Sequence, residues 1–482
     1  MPVPRVAAPR LPRLPSPRHW PGVCAAAIAI TMAALPVHAQ SSAADGNPAL
    51  PPPYPIAARS TQAQAPADVP IDPDNLSLAT AELRARAANR DLWTARRRIQ
   101  AAEADRLGAQ ALPNPNLSLS IDDYRPRNGV GSGPLRDKRL TTQIGIDQLI
   151  ERGGKRTLRV RVADELLKAS QLDYDDTLRG QTLLVRAAYY DLVLAQDTIE
   201  LVAQQARLYD ETRDAAQRRL KAGDIAATDA SRIDVDRLRA QSDLQNAIQA
   251  RTDAQVALAA LLAVEPDAGR LRATDGWPGS DAPPLTAGLT GDPAALDALL
   301  VRRPDVLAAR TRIDAAAANR ELARSLRTRD IGVAGWFKRD GTGGDATPPY
   351  YSNAIGLSVS IPLLINNRYD GEIARAEADY GDAQDQLART LGAARNEIAQ
   401  AASSLRTARL RDERYRNEIL PTATRNADAY EFAFRRGALE VTDLLDARRT
   451  LRATQLEALD ARSDYAKALM AWMAAVQVQT TP

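Results

Sequence analysis

The segment RRLKAGDIAATDASRIDV, residues 218–235, is echoed by AFRRGALEVTDLLDARRTL, residues 433–451. Each holds a short basic run, a glycine, then an apolar residue and Thr-Asp opening a long helical pattern. Gly223 and Gly437 lie 214 residues apart, and so do Asp229 and Asp443. The same interval separates Arg98, which opens RIQAAEADRLGAQALPNPNLSL, from Arg312, which opens RIDAAAANRELARSLRTRDIGV. QLIERGGK and IPLLINNR end 213 residues apart, at Lys155 and Arg368. A period this long exceeds the roughly 20 to 50 residues of a solenoid repeat, so each copy is a whole folding module with its own strands and helices.

The N-terminus sets the compartment. Arg5, Arg10, Arg13 and Arg18 precede an apolar run from Val23 to Leu35, and Val37-His38-Ala39 has the small-residue pattern of a signal peptidase site. The run is shorter than the about 20 apolar residues of a membrane-spanning helix. Residues 1–39 therefore read as a signal peptide, with a mature chain starting near Gln40 beyond the inner membrane of a bacterium. Cys24 is not expected to be lipidated, because Val23 stands where a small residue is wanted and the apolar run follows the cysteine. Cleavage removes the only cysteine and both histidines, His19 and His38, and takes the formal charge from +3 to −1. Such a chain cannot build a His/Cys metal site, a Ser-His or Cys-His nucleophile pair, or a disulfide. No enzyme activity and no cofactor are expected, and the charge gives no nucleic-acid footprint.

Residues 40–75 are rich in Pro, Ala and Ser, with PPPYP at 51–55, and read as an extended arm. A first module follows at 76–263. It holds a helix from 76 to about 112, ended by Pro113 and Pro115, then period-two strands in NLSLSID and TTQIGIDQL, then a helix from 155 to about 220. In that long helix Leu178, Val185, Leu192, Ile199 and Ala206 fall seven apart, with Ala188, Ala195, Val202 and Tyr209 as companions, which is a coiled-coil seam. Thr228 or Asp229 opens the next helix, which runs to about 262. A Pro/Gly-rich linker at 264–293 separates this from a second module at 294–477, with helix 294–328, strands near 331–337 and 355–361, and helices 371–434 and 441–476. Leu444, Leu451, Ala458, Tyr465 and Trp472 repeat the seven-residue spacing, beside a small-residue stripe of Ala447, Thr454, Ala461, Ala468 and Ala475. Each module is thus expected to be a two-layer rod with a glycine turn at one tip and a strand pair at the other. Four strands cannot close a barrel alone, but three protomers would supply twelve. The alternative is a small soluble sheet on a periplasmic coiled-coil scaffold without a pore.

These residues resemble the TolC superfamily of outer-membrane channels over most of the mature chain. The carriers are NPNLSLS, QLIERGGKR, SIPLLINNRYDGEIARAEAD at 360–379 and the two Gly-to-Thr-Asp turns. ERGGKR and IPLLINNRYDG are most similar to the CzcC-like heavy-metal efflux branch. The resemblance implies a mainly α fold with a small β part: a homotrimer whose helices form a periplasmic tunnel capped by a twelve-stranded outer-membrane barrel, facing lipid. It implies a passive efflux duct, for divalent heavy-metal cations in the CzcC-like case and for drugs or protein in the alternative. It also implies as partners a periplasmic adaptor and an inner-membrane RND-type pump. Asp443 and Asp446 match the carboxylate rings at the periplasmic constriction, and Asp229 is the copy in module one, able to pair with basic groups that hold the mouth shut. Asp443 and Asp446 are three apart and share a helix face, so threefold repetition places six carboxylates around an opening, which favours cations. An aspartate near a helix start also serves as a cap or dipole partner, and the two roles are compatible. Gly223, Asp224, Gly437 and Ala438 are the turn tips that the resemblance assigns to adaptor docking.

Overall fold

The computed structural model describes residues 69–122, 140–223, 225–279, 293–342, 350–436 and 438–476. The signal peptide with Cys24, the arm up to residue 68, Asp224 and Gly437 lie outside the described residues. The element order repeats. Helices α1 (Leu78–Ala88) and α2 (Arg90–Gln110) lead into strands β1 (Asn116–Asp122) and β2 (Thr141–Ile150), then helices α3 (Lys155–Ala222) and α4 (Ala227–Leu262). Helices α5 (Pro293–Leu300) and α6 (Pro304–Ser325) lead into β3 (Ile331–Thr342) and β4 (Tyr350–Ser360), then α7 (Asp370–Arg414), α8 (Leu420–Arg435) and α9 (Val441–Val476).

Three helices that read as continuous in the sequence are interrupted, each for a local reason. The 76–112 pattern divides at Asn89, which leaves the helical region with ψ 130°. Its side-chain oxygen accepts from the backbone N–H groups of Asp91 and Leu92 at 2.9 and 3.3 Å, capping α2. Its amide donates to Gln181 Oε1 and the Leu261 carbonyl, both at 3.1 Å, so the cap is buried and fully used. The 294–328 pattern divides ahead of Pro304, which occupies the first turn of α6 and has no N–H to continue a helix through it. The third interruption is milder. Pro421 sits in the first turn of α8, and the preceding turn, Tyr415–Ile419, widens to a π-helical one that absorbs the missing bond.

The α3–α4 reversal depends on Gly223. It takes φ 81° and ψ 10°, the left-handed region where a side chain is disfavoured, and its N–H closes the last turn of α3 onto Arg219 and Leu220 carbonyls. The seven-residue seams are buried along most of their length, with Leu178, Ile199, Leu451 and Ala458 half-buried. Val185, Leu192, Ala206, Ala195, Val202 and Tyr209 are buried on α3, and all five members of the Ala447 to Ala475 stripe are buried on α9. One large core joins α1, α3, α4, α7 and α9, with Tyr189, Leu258, Leu405 and Trp472 among its members. The Tyr189 hydroxyl donates to the Leu76 carbonyl at 2.9 Å and accepts from Thr274 and Asp275 N–H groups, pinning the bridge between Leu76 and Ala273. Burial pushes that hydroxyl's pKa up to about 12.

All four strands form a single antiparallel sheet in the order β1-β2-β3-β4, so the ladder between β2 and β3 joins the two modules. The register separates the faces. Leu117 opposes Ile146, Leu119 opposes Ile144, Ile144 opposes Phe337, and Phe337 opposes Ile355, so these side chains share one face with Leu357 and Val359. That face is exposed, to 83% at Ile355 and 84% at Leu357. Ser118, Ser120, Gln143, Asp147, Lys338, Ser358 and Ser360 occupy the other. From this sheet α3 runs 68 residues to Gly223, about 102 Å at 1.5 Å per residue.

A buried ion network ties the modules at mid-length. Arg303 is 1% exposed; it donates to Asp305 at 2.8 and 3.1 Å, to Glu397 at 2.7 Å and to the Ala475 carbonyl at 3.1 Å. Glu397 also accepts from Arg179 of α3 at 2.8 Å. Burial opposes ionisation of Glu397 and Asp305, but the guanidinium contacts outweigh it and hold both carboxyls below their ordinary range. Removing one partner of such a group strands the others. Arg303→Met is expected to lower stability by about 3 kcal/mol at neutral pH, read by denaturant unfolding in detergent. Depressed carboxylate pKa values stabilise above the unfolded values of 3.8 and 4.5 and lose that contribution as pH falls through the folded ones. The gap between wild type and Arg303→Met therefore narrows on acidification below those values.

Candidate gate at the helix tips

Opposite the sheet, the ends of α3 and α8 meet the starts of α4 and α9. A small core of Ala206, Tyr209, Ala216, Ile233, Ala240 and Leu445 joins α3, α4 and α9. The Arg219 guanidinium lies over the Phe434 ring at 5.9 Å, linking α3 to α8. Around this core runs a polar seam. Nη2 of Arg449 on α9 donates to both oxygens of Asp236 on α4, at 2.6 and 2.8 Å, a charge-assisted contact through one nitrogen. Asp236 is only 5% exposed. Arg452 pairs with Asp243 one turn pair further on, and Arg448 donates to Thr212 of α3 at 3.2 Å. Burial pushes the Tyr209 hydroxyl pKa up beneath Asp236, Arg449, Arg452 and Arg448. The seam is not fully satisfied: the buried Nε–H groups of Arg448 and Arg452 have no acceptor among the described residues.

The residues singled out in the sequence fall around this seam. Asp443 is exposed in the first turn of α9. Asp446 is also exposed, its side chain to 73%, and accepts from Arg449 at 2.9 Å. It therefore shares one arginine with Asp236 and lies on the rim of the groove between α4 and α9, with Thr228, Ser231 and Thr442. Asp229 lies half-buried in the first turn of α4, 3.9 Å from Arg232 of its own helix. Ala226 is the residue that precedes α4, so neither Thr228 nor Asp229 supplies a side-chain cap. The bridges to α9 come instead from Asp236 and Asp243. Sequence reasoning passed over both, although Asp229, Asp236 and Asp243 lie seven apart and so form one stripe along α4. Gly223 turns the first tip and Ala438 is exposed at the second. Among the described residues there is no cluster of three His, Cys, Asp or Glu side chains able to hold a metal ion. No helix among them is long and apolar enough to cross a membrane, which says nothing of a β-barrel.

The arrangement joins a sheet with a bare apolar face to helical hairpins whose tips carry a charged seam. The outer membrane efflux protein family matches residues 83–264 and 295–476, both halves of the duplication. The chain belongs to the outer membrane efflux protein family. It is an outer-membrane efflux channel that extends into the periplasm, and the relatives it matches are channel proteins rather than enzymes. Cobalt-zinc-cadmium resistance protein CzcC of Cupriavidus metallidurans is 28% identical over 382 residues, 78% of this chain and 84% of that protein. Outer membrane protein TolC of Escherichia coli is 24% identical over 411 residues, 80% of this chain and 78% of that one. Among solved structures, the CmeC outer membrane channel of Campylobacter jejuni superposes with a TM-score of 0.68 at 16% identity, covering 84% of this chain and 87% of its own.

If the Arg449–Asp236 pair holds this efflux protein's α4 against α9, its two partners must be energetically coupled. A double-mutant cycle with Arg449→Ala and Asp236→Asn is expected to give a coupling of about 1–3 kcal/mol in unfolding free energy. A coupling near zero means the pair does not form.

Proposed function

We propose that the chain assembles as a homotrimer and conducts divalent heavy-metal cations passively out of the periplasm, through a twelve-stranded barrel and a helical tunnel. The observation that carries this reading is the sheet: four strands of 7 to 12 residues, one face dominated by exposed apolar side chains from Leu117 to Val359, and β1 and β4 pairing on one side only among the described residues. That length suits the about 9–11 residues of a tilted membrane strand, and strand edges are tolerated in hydrocarbon only when the sheet closes. Modules 76–263 and 294–477 then form the wall, with the linker at 264–293 near mid-height.

At the periplasmic end, Asp443 and Asp446 from three protomers give six carboxylates around the mouth, a field that favours cations and disfavours anions. The Arg449–Asp236 and Arg452–Asp243 pairs hold α9 against α4 and so keep the mouth narrow. The unsatisfied Nε–H groups of Arg448 and Arg452 make that state one an adaptor can displace. Asp229, at the same depth, adds negative charge beside it. The tips at Gly223 and Ala438, with Asp224 and Gly437, meet the periplasmic adaptor, which links the channel to an inner-membrane RND-type pump that supplies the energy. Likeness to a cobalt-zinc-cadmium resistance protein supports metal as the cargo. Drug or protein export is the second reading. Metal-sensitive growth of a deletion strain with unchanged drug tolerance decides for the first, and the converse for the second.

In planar bilayers, Asp443→Ala with Asp446→Ala is expected to raise single-channel conductance and weaken block by polyvalent cations. Unchanged conductance and block would remove these two residues from the constriction.

A further inference from the structure

The polar face of the sheet carries one side chain out of scale with its surroundings. Gly145, Trp336 and Gly356 are direct partners across β2, β3 and β4, with Ser118 of β1 opposite Gly145. The four side-chain positions therefore form one row on the face away from Phe337, Ile355 and Leu357. The neighbouring rows hold Ala334 with Ser358 and Lys338 with Ala354, so Trp336 is the largest side chain there.

Its indole does not stand up from the sheet. A Cβ placed on Gly356 would lie 2.1 Å from Trp336 Cζ2, 2.3 Å from Cε2 and 2.8 Å from Cη2, so the six-membered ring covers that glycine's backbone. A Cβ on Gly145 would lie 3.3 Å from Trp336 Cβ and 2.9 Å from Ser118 Oγ. Glycine inside a strand loses packing and favours the unfolded chain, so its presence at a site of close approach has a steric reason. An aromatic ring laid across a strand glycine also covers backbone that would otherwise be bare.

We propose that Gly356 keeps the bore of the barrel clear by giving the Trp336 indole a bed in the wall. This rests on the reading above that the polar face lines the lumen. Any side chain at Gly356 lifts the ring, and in a trimer three rings rise into the pore at one height. With the ring flat, the lumen keeps a smooth wall of small and polar side chains. The ring itself contributes no obstruction.

The test uses single-channel recording of the full-length protein with three sets of variants. Ser358→Cys and Leu357→Cys, treated with a charged methanethiosulfonate reagent, report which face meets the pore. Block at Ser358→Cys alone is the outcome the lumen reading requires, and its absence overturns that reading and this proposal with it. Given that block, Gly356→Val is expected to lose conductance, Trp336→Ala alone to keep at least the wild-type value, and Trp336→Ala in the Gly356→Val background to recover it. Gly356→Val with unchanged conductance, or with a loss that Trp336→Ala does not recover, overturns the bore role while leaving the lumen reading intact. Gly356→Ala, whose single methyl already occupies the place of the ring, carries the comparison if Gly356→Val fails to insert.

Discussion

A backbone N–H or C=O facing hydrocarbon has no water to bond, and each one left unpaired costs several kcal/mol. The sheet of this protein presents Ile355, Leu357 and Val359 outward on β4, beside an edge that has no partner strand among the described residues. An apolar face of that kind belongs in lipid, and lipid forbids the edge. On the proposed reading the two requirements agree because β1 of one chain meets β4 of another and the sheet curves shut. Everything below the sheet follows from this closure, because the helices enter directly from the strands: Ile150 ends β2 and Lys155 begins α3. In the proposed trimer a ring of strands would produce a ring of helices, and the small residues along α9 would let those helices lie close.

Charge is used in two distinct ways. At mid-length, Arg303 is closed in by Asp305, Glu397 and the Ala475 carbonyl, and every guanidinium direction that matters is occupied. That cluster is suited to fixing one arrangement of α3, α6, α7 and α9. At the tip, Arg449 is shared between a buried Asp236 and an exposed Asp446, and neighbouring arginines leave donors unused. A seam built this way has less to lose on separating, because water can satisfy what the protein does not.

Much of the fold was legible because it is periodic. The 214-residue interval, the seven-residue seams on α3 and α9 and the alternation in NLSLSID are all regularities, and the corresponding elements are where they were read. The interruptions were not legible from periodicity. Asn89 looks like one more polar residue in an Ala/Arg-rich helix until Gln181 and the Leu261 carbonyl, distant in sequence, are seen to claim its amide. Pro304 and Pro421 carry a local signal that the apolar pattern overrode. At the tip, Asp443 and Asp446 were visible as a pair on one helix face. The partnership of Asp236 with Arg449 spans 213 residues, and only the packing of α4 beside α9 reveals it.

The clasp also bears on how such a chain came to exist. Aligning the two halves at the 214-residue interval sets Arg449 against Val235, Arg452 against Leu238 and Asp236 against Thr450. The two tips are therefore sisters with opposite charge along their contact. Identical half-length ancestors arranged in a sixfold circle could not have divided the signs so, since any acidic residue gained by one would have appeared in all. Two halves on a single polypeptide are free of that constraint, so α4 can carry Asp236 and Asp243 where α9 carries Arg449 and Arg452.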